Sequence, residues 1–123
     1  MPILKAHIPT GYTQEQKTAA LTAYTRATCE ALGAALPSVR VMLIEIPAEN
    51  SVVGGQVGAP MVVIEAVLIE GRDETLKAGF ISALTNASAE ALGVDREGVR
   101  VVIHDVAKTN IGMGGQSAKA LGR

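Results

Sequence analysis

At residues 30–41 the chain reads Glu-Ala-Leu-Gly-Ala-Ala-Leu-Pro-Ser-Val-Arg-Val, and at residues 90–101 it reads Glu-Ala-Leu-Gly-Val-Asp-Arg-Glu-Gly-Val-Arg-Val. The same shift of 60 positions aligns residues 2–58 with residues 62–118 without a gap, and seventeen of the aligned positions are identical. Shared composition explains scattered alanine matches, but it does not explain whole blocks that fall in one register. A repeat on this scale indicates a duplicated structural unit.

We therefore predict a single domain over residues 1–123 that consists of two similar halves, with a short linker at 59–61 and a short tail at 119–123. In each half a short apolar run comes first, at residues 3–9 and 62–69, and predicts a strand. A helix and a second strand follow, and each half closes with a glycine-containing hairpin. Two strands joined by a helix of this length form a parallel βαβ unit with a right-handed crossover.

The predicted helices have sequence signals at both ends. Thr13 and Gln16 resemble a capping box, and Asp73 is the equivalent N-cap in the second half. Gly33 and Gly93 stand where each helix would end on a left-handed residue. The apolar face of each helix is predicted to consist of Ala20, Tyr24, Ala27 and Ala31 in the first half, and of Phe80, Leu84, Ala87 and Ala91 in the second.

The second strands are predicted at residues 39–47 and 99–107. Together the two units predict an α/β (α+β) fold, in which one four-stranded sheet carries both helices on one face. The other face is expected to stay apolar, since the first of these strands contains Met42, Leu43, Ile44 and Ile46. An exposed apolar sheet face usually marks an association surface, and a core rich in alanine and valine buries little area per side chain. We therefore expect a closed oligomer.

Composition excludes several classes of function. The formal net charge is −1 and aromatic residues make up 2% of the chain, so neither a basic stripe nor a base-stacking surface points to nucleic acid. A single cysteine, Cys29, excludes an internal disulfide and fits a reducing cytoplasm. No apolar run approaches the roughly 20 residues of a membrane span, and the residues after Met1 lack the layout of a signal peptide. We expect a cytoplasmic protein without a membrane segment.

Pro2 is the first candidate for chemistry. A methionine before a small residue is normally removed, and removal of Met1 would leave Pro2 with a free secondary amine. An ordinary α-amino group titrates near about 7.7–8.0, and burial or nearby cations would lower that pKa. Such an amine is poised as a general base near neutral pH, although many chains begin Met-Pro without any catalytic role.

Three arginines are candidates for binding an anion. Arg40 and Arg100 occupy equivalent positions in the second strands of the two halves, while Arg72 follows a turn glycine and has Tyr12 as its counterpart. A guanidinium group on an apolar strand costs desolvation energy unless it meets an anion. Taken one at a time, each arginine also fits a surface charge or a structural ion pair.

The order of these motifs resembles 4-oxalocrotonate tautomerase, of the tautomerase superfamily. The motifs are Pro2-Ile3 at the start, Glu70-Gly71-Arg72 after a strand, Ser38-Val39-Arg40-Val41 and the hairpin Asn110-Ile111-Gly112-Met113-Gly114-Gly115. The resemblance covers nearly the whole chain and appears in both halves. It implies a tautomerase/MIF-like fold and, for a fused chain of this kind, a homotrimer.

The resemblance also implies an activity. Members of the family are isomerases that move a proton on a small unsaturated 2-hydroxy or 2-oxo dicarboxylate such as 2-hydroxymuconate. Their amino-terminal proline is the base, a role that would fall to Pro2. Their arginines after the first turn and in the second strand bind the substrate, which implies Arg72 together with Arg40 and Arg100.

This chain departs from the family pattern in three places. The hairpin aromatic residue that helps to make the family's site apolar is replaced by Ser51 and Ile111, which are expected as weak parts of the site wall. Tyr12 stands in place of the post-turn arginine in the first half. Val62 stands where the second half would need a proline, and its nitrogen is an internal amide.

These asymmetries predict one complete site per chain. Only the first half has a free proline and only the second half keeps the post-turn arginine, so Pro2 is expected to face Arg72. Arg40 or Arg100 would complete the site from a neighbouring chain or half. No Cys/His cluster has metal-ligand spacing, and neither a metal nor a cofactor is expected. Two alternatives stay open: another reaction of the superfamily, such as haloacrylate dehalogenation or β-oxo acid decarboxylation, and a non-catalytic oligomeric ligand-binding module.

Other polar residues are assigned to structure rather than to chemistry. His7 and His104 lie in predicted strands opposite apolar counterparts in the repeat, and they are expected at packing positions. Glu45 and Asp105 are equivalent carboxylates that fit a solvated or ion-paired surface better than a catalytic pair. Cys29 is expected to be a small buried residue.

Overall fold

The computed structural model describes residues 1–123 and contains one four-stranded sheet, two α-helices and three single-turn 3₁₀ helices. In chain order the elements are β1 (Ile3–Pro9), α1 (Gln14–Leu32), β2 (Arg40–Ile46), β3 (Val52–Val53), β4 (Gln56–Val57), β5 (Val62–Ile69), α2 (Glu74–Leu92), β6 (Val99–Val106), β7 (Gly112–Met113) and β8 (Gln116–Ser117). The strands β3 and β4 form one small hairpin, and β7 and β8 form the other. The predicted fold class is confirmed.

The order of strands in the sheet is β2-β1-β5-β6. Within each half the two long strands are parallel, as a βαβ unit requires, whereas β1 and β5 are antiparallel. Ile3 is therefore paired with Val67 and His7 with Val63. As a consequence, the beginning of the first half lies beside the end of β5 and the hairpin that closes the second half.

The helix ends are those that the sequence predicts. The hydroxyl of Thr13 accepts the backbone N–H of Gln16 at 3.1 Å, and the side chain of Gln16 accepts the backbone N–H of Thr13 at 2.9 Å, which makes a complete capping box. Asp73 caps α2 by accepting the N–H of Leu76 at 2.9 Å. Both helices end on a glycine with positive φ, Gly33 at 65° and Gly93 at 67°.

The buried stripe of each helix differs from the predicted one at its last member. Ala31 and Ala91 are only partly buried, and Leu32 and Leu92 take the inner position. The difference arises because the helices pack against each other as well as against the sheet, so that Thr28 and Ser88 are also buried. The helix position four residues after each of these faces the same way, and it is occupied by Leu32 or Leu92. The hydroxyl groups buried in this contact belong to Tyr24, Thr28 and Ser88.

The sheet face away from the helices is not uniformly apolar, and in this respect the prediction is wrong. Its outer strands do expose apolar side chains, among them Met42, Ile44 and Val102, while Leu43 packs on the helix side. Its two inner strands alternate cleanly and place a charged cluster at the centre of the face. That cluster consists of Lys5 and Glu65, and the imidazole of His7 lies beside it, with Nε2 3.8 Å from Glu65 Oε2.

The remaining polar residues of the strands have mixed outcomes. Glu45 and Asp105 form ion pairs with lysines of the overlying helices, Lys17 at 3.3 Å and Lys77 at shorter range, as the ion-pair interpretation predicts. His104 is exposed in the single chain, so its assignment as a packing position is wrong there. Cys29, in α1, is only partly buried.

Candidate active site

The amino end of β1 is anchored in the protein. The side chain of Pro2 is fully buried, and its carbonyl accepts the backbone N–H of Arg40 at 3.0 Å. Met1 is partly buried and packs on a small apolar cluster formed by Ile69, Ile111 and Ala118. Removal of Met1 would therefore leave the Pro2 nitrogen as a secondary amine held at a fixed position.

The surroundings of the chain start disfavour a positive charge. Burial, and after it the positive charges of Arg72 and Arg123, lower the pKa of the Met1 amino group from its ordinary value. Consecutive Cα atoms are only about 3.8 Å apart, so an amine on Pro2 would lie in nearly the same field. The physical causes are those that move an amine toward the neutral, basic form.

Arg72 reaches this end of the sheet from the second half. It lies between Gly71, whose φ of 121° turns the chain, and the first residues of α2. Its Nη1 donates to the carbonyl of Ile69 at 3.2 Å, and Ile69 belongs to the apolar cluster on which Met1 packs. The antiparallel pairing of β1 and β5 is what brings Arg72 to Pro2, since both lie where β1 begins and β5 ends.

Tyr12 occupies the corresponding position at the opposite end of the sheet. It follows Gly11, whose φ is 104°, and packs at the edge of the main core. Burial raises the pKa of the Tyr12 hydroxyl, so this side chain stays neutral at physiological pH. The opposite end of the sheet thus has no post-turn cation.

The two strand arginines are anchored alike but lie at different ends. Arg40 lines a hollow of about 220 Å³ together with Met1, Ile3 and the hairpin residues Ile111–Gly114. Its Nη1 donates to the carbonyls of Pro37 at 2.8 Å and Val39 at 3.3 Å, which leaves other guanidinium donors for a ligand.

Arg100 repeats this anchoring with the carbonyls of Glu97 at 2.6 Å and Val99 at 3.2 Å. It is paired with Val63, which is opposite His7, five positions after Pro2. At about 3.3 Å per residue this separation is roughly 16 Å along the strand, more than an arginine side chain spans. Within one chain, Arg40 and not Arg100 accompanies Pro2.

The two hairpin candidates are separated in the same way. Ile111 is buried in the cluster beneath Met1 and contributes to the wall of the hollow beside Pro2. Ser51 lines a different cavity, of about 220 Å³, at the other end of the sheet with Pro9, Thr10 and Met61. The structure thus gathers Pro2, Arg72, Arg40 and Ile111 at one end and leaves Arg100 and Ser51 at the other.

Arg123 is a candidate that the sequence analysis missed. The tail folds back on the second hairpin, where the N–H of Arg123 donates to the carbonyl of Ala118 at 2.9 Å and the N–H of Lys119 to that of Lys108 at 3.1 Å. In this position the positive charge of Arg123 contributes to lowering the pKa of the Met1 amino group. In the sequence, only the basic character of the tail points to Arg123. The tail lies beyond the aligned repeat, so no counterpart in the first half draws attention to this residue.

Neither a cluster of metal-ligating side chains nor a helix that could cross a membrane is found in the structure. No group of three or more His, Cys, Asp or Glu side chains is arranged to hold a metal ion. Neither α1 nor α2 has the length and apolar character required to cross a membrane.

Comparison with known proteins identifies a family for the chain. The family described as tautomerase enzyme matches twice in tandem, at residues 2–59 and 60–121. A 2-hydroxymuconate tautomerase of Comamonas testosteroni is 50% identical over 56 residues, which are 46% of this chain and 89% of that protein. A fused 4-oxalocrotonate tautomerase, solved as a wild-type symmetric trimer, is 44% identical over 98% of this chain and 99% of its own, with a TM-score of 0.96.

A more distant structure shares the fold alone. The macrophage migration inhibitory factor of Toxoplasma gondii is 23% identical and superposes with a TM-score of 0.82 over 93% of this chain and 97% of its own. The tandem match, the relatives and the paired βαβ units agree with one another. The chain therefore belongs to the tautomerase family, as a 4-oxalocrotonate tautomerase-like isomerase made of two fused halves.

Proposed function

We propose that this tautomerase acts on a small unsaturated 2-hydroxy or 2-oxo dicarboxylate, such as 2-hydroxymuconate, with the free amine of Pro2 as its general base. The observation that carries the proposal is the chain start, where burial, Arg72 and Arg123 all disfavour a protonated amine. The relative from Comamonas testosteroni, a 2-hydroxymuconate tautomerase, supports the choice of substrate.

The proposed reaction moves one proton. The Pro2 nitrogen takes the proton of the substrate's 2-hydroxyl group, and the electron pair of that O–H bond forms the 2-oxo carbonyl. The double bonds of the diene shift by one position, and the protonated proline returns the proton to carbon at the far end of the conjugated system. An amine with a lowered pKa suits both steps, because it is neutral before the first and acidic before the second.

The arginines supply the binding part of this mechanism. Arg72 and Arg40 would bind the carboxylate and oxo groups through charge-assisted, two-pronged hydrogen bonds. The same cations stabilise the enolate charge that develops as the proton leaves. Ile111 provides an apolar wall where the family has an aromatic residue, which keeps water from the base without adding a charge.

We infer that the active assembly is a homotrimer. The open sheet face exposes Met42, Ile44 and Val102 around the charged centre, a combination that fits contact with further copies of the chain. The solved relative with 44% identity is a trimer of fused chains. Sedimentation should show three chains per particle, and a stable monomer at micromolar concentration would contradict this assembly.

The activity is tested by incubating protein that lacks Met1 with 2-hydroxymuconate and following the ultraviolet absorbance of the 2-oxo product. Titration of a ¹⁵N-labelled Pro2 amine by nuclear magnetic resonance separates the proposal from the hydrolytic reactions of the superfamily. A pKa below the ordinary range of about 7.7–8.0 fits a base. A pKa above that range, without turnover, would point to a protonated proline and to hydrolysis instead.

A further inference from the structure

A second charged hollow lies next to the site at Pro2. At the corner where the tail meets the end of β5, a hollow of about 550 Å³ is lined by Glu70, Ala107, Lys108, Thr109, Lys119, Gly122 and Arg123. Three of these side chains are cationic and one is a carboxylate. The surface of the hollow is therefore mainly positive.

This corner is held in place by backbone hydrogen bonds. The N–H of Lys119 donates to the carbonyl of Lys108 at 3.1 Å, and the N–H of Gly122 to that of Lys119 at 3.1 Å. Ala118, which is fully buried in the cluster beneath Met1, fixes the start of the tail. Arg123 belongs to the hollow and also acts on the chain start, so the cationic corner adjoins the proposed site.

The repeat provides an internal comparison for the charge of this corner. Residues 107–118 contain Lys108 and no acidic residue, whereas their counterparts at 47–58 contain Glu49 and no cation. The tail at 119–123 adds Lys119 and Arg123 and no acidic residue. Because the whole chain has a formal net charge of −1, all the other residues outside 107–123 sum to −4. Three cations thus lie together at one corner of a chain whose other residues are net acidic, at the end of the sheet where Pro2 lies.

We propose that Lys108 and Lys119 are specificity-determining residues that draw dianionic substrates toward Pro2 without touching the reacting atoms. A dianion gains twice the energy of a monoanion in the same potential, so a fixed positive corner favours dicarboxylates over monocarboxylates. Charges arranged in this way raise association rates by about 10- to 1,000-fold in favourable cases. The proposal rests on the dicarboxylate function described above.

The test removes the two positive charges and compares the result with a matched change elsewhere. The double variant Lys108→Ala/Lys119→Ala lowers the net charge by two at the cationic corner. The control Ala48→Glu/Ala59→Glu lowers it by the same amount at the opposite end, at the counterpart of Lys108 and at a linker residue that lines the cavity there. A second variant, Lys108→Arg/Lys119→Arg, keeps the charge and alters the shape. Thermal unfolding of each variant checks that it folds.

The expected result is a change in kcat/KM with kcat unchanged. For the dicarboxylate 2-hydroxymuconate, kcat/KM should fall about tenfold in the double alanine variant, and about threefold for the monocarboxylate 2-hydroxypenta-2,4-dienoate. The effect should be larger at about 10 mM than at about 150 mM salt, where the Debye lengths are about 30 Å and about 8 Å. The control and the arginine variant should stay near wild type.

A readout without turnover separates this proposal from the proposed function. Binding of the unreactive dicarboxylate cis,cis-muconate, measured by calorimetry, should weaken in the double alanine variant and not in the control. If the wild type turned over neither substrate but muconate binding followed this pattern, the result would contradict the proposed reaction and support the role of the cationic corner in binding. Equal losses in the alanine variant and the control, or equal losses for dianion and monoanion, would overturn the proposal.

Discussion

The hydroxyl of Tyr24 in α1 lies 2.7 Å from Oγ of Ser88 in α2, and both groups are fully buried. Ser88 also donates its own proton to the carbonyl of Leu84 at 3.0 Å, so Tyr24 is the donor between the two helices. The bond has no counterpart on the other side of the repeat, because Leu84 stands where a second tyrosine would be and Thr28 bonds only within its own helix. The two halves are thus joined by an asymmetric contact inside an otherwise repeated core.

Removing Ser88 should cost more stability than removing the hydroxyl of Tyr24. Ser88→Ala leaves the buried hydroxyl of Tyr24 without a partner, which costs about 1–3 kcal/mol. Tyr24→Phe removes that hydroxyl, leaves Ser88 bonded to the carbonyl of Leu84, and should cost about 1 kcal/mol. Urea unfolding at one fixed protein concentration measures both, through a shift in midpoint at unchanged m-value. The control is Thr85→Ala at a half-buried position, which removes a comparable but solvent-accessible bond to the carbonyl of Ile81 and should change stability by less than about 0.5 kcal/mol. An equal cost for Ser88→Ala and Thr85→Ala would contradict this account.

Retention of Met1 should abolish turnover while the fold persists. The Pro2 nitrogen is then an amide, which cannot accept a proton, and Met1 occupies the wall of the hollow beside it. Pro2→Ala, which leaves a primary amine, should reduce kcat by about 10²-fold or more, in the range of general-base loss. Turnover is measured after mass spectrometry has identified the first residue of each preparation.

The matched control for the Pro2 variants is Pro60→Ala. Pro60 is exposed and its nitrogen lies within the chain, so turnover should stay near wild type. Full activity of a protein that keeps Met1 would show that Pro2 is not the base and would leave the family likeness as one of fold.

Arg72→Ala should weaken dicarboxylate binding strongly, whereas Tyr12→Ala should have little effect. The first removes a charged contact at the Pro2 end, worth about 1.5–3 kcal/mol or roughly ten- to a hundredfold in kcat/KM. The second alters the opposite end, where the structure shows neither a free amine nor a post-turn cation. Steady-state kinetics on the two variants compares the ends directly, and similar losses would refute a single site per chain.

The strand arginines should differ in the same manner. Arg40→Ala removes a guanidinium group from the hollow beside Met1 and Ile111 and should lower kcat/KM by about ten- to a hundredfold. Arg100→Ala removes an equally anchored group at the distant end, so the loss of backbone anchoring is matched between the variants. If Arg100→Ala proved the more damaging, the site would draw its strand arginine from the second half of a neighbouring copy.

The acid limb of the pH–rate profile should depend on Arg123. Its positive charge disfavours protonation of the chain start and so lowers that pKa. Arg123→Ala removes this effect, raises the pKa of the amine and moves the acid limb of kcat/KM to higher pH. Arg123→Lys keeps the charge and should leave the limb near its wild-type position. Identical profiles for all three proteins would show that Arg123 does not act on the base.

Most of the fold could be predicted because local signals and the repeat agree. The capping box at Thr13, the cap at Asp73 and the glycines that end both helices each specify a boundary through backbone chemistry. The charged centre of the open face could not be predicted in the same way. Lys5 and Glu65 become neighbours only through the antiparallel pairing of β1 with β5, and a residue-by-residue reading of one strand does not reveal its partner.

The residues of the candidate site were likewise predictable only in part. Pro2, Arg72 and Ile111 follow from motifs that can be counted along the chain, and the structure places all three at one end of the sheet. The choice between Arg40 and Arg100 depended on strand direction, which the repeat leaves open because both arginines have the same local sequence. Arg123 depended on the fold of a tail that has no internal counterpart.

The short segment that joins the halves changes how the protein can evolve. In an assembly of identical single units, each substitution is copied onto every site at once, so a harmful change cannot be confined. Here one chain encodes both ends of the sheet separately, so a substitution at the end around Ser51 leaves the residues around Pro2 unchanged. With the reaction at the Pro2 end as proposed, a new binding function can be built into the Ser51 cavity without altering the residues that carry that reaction.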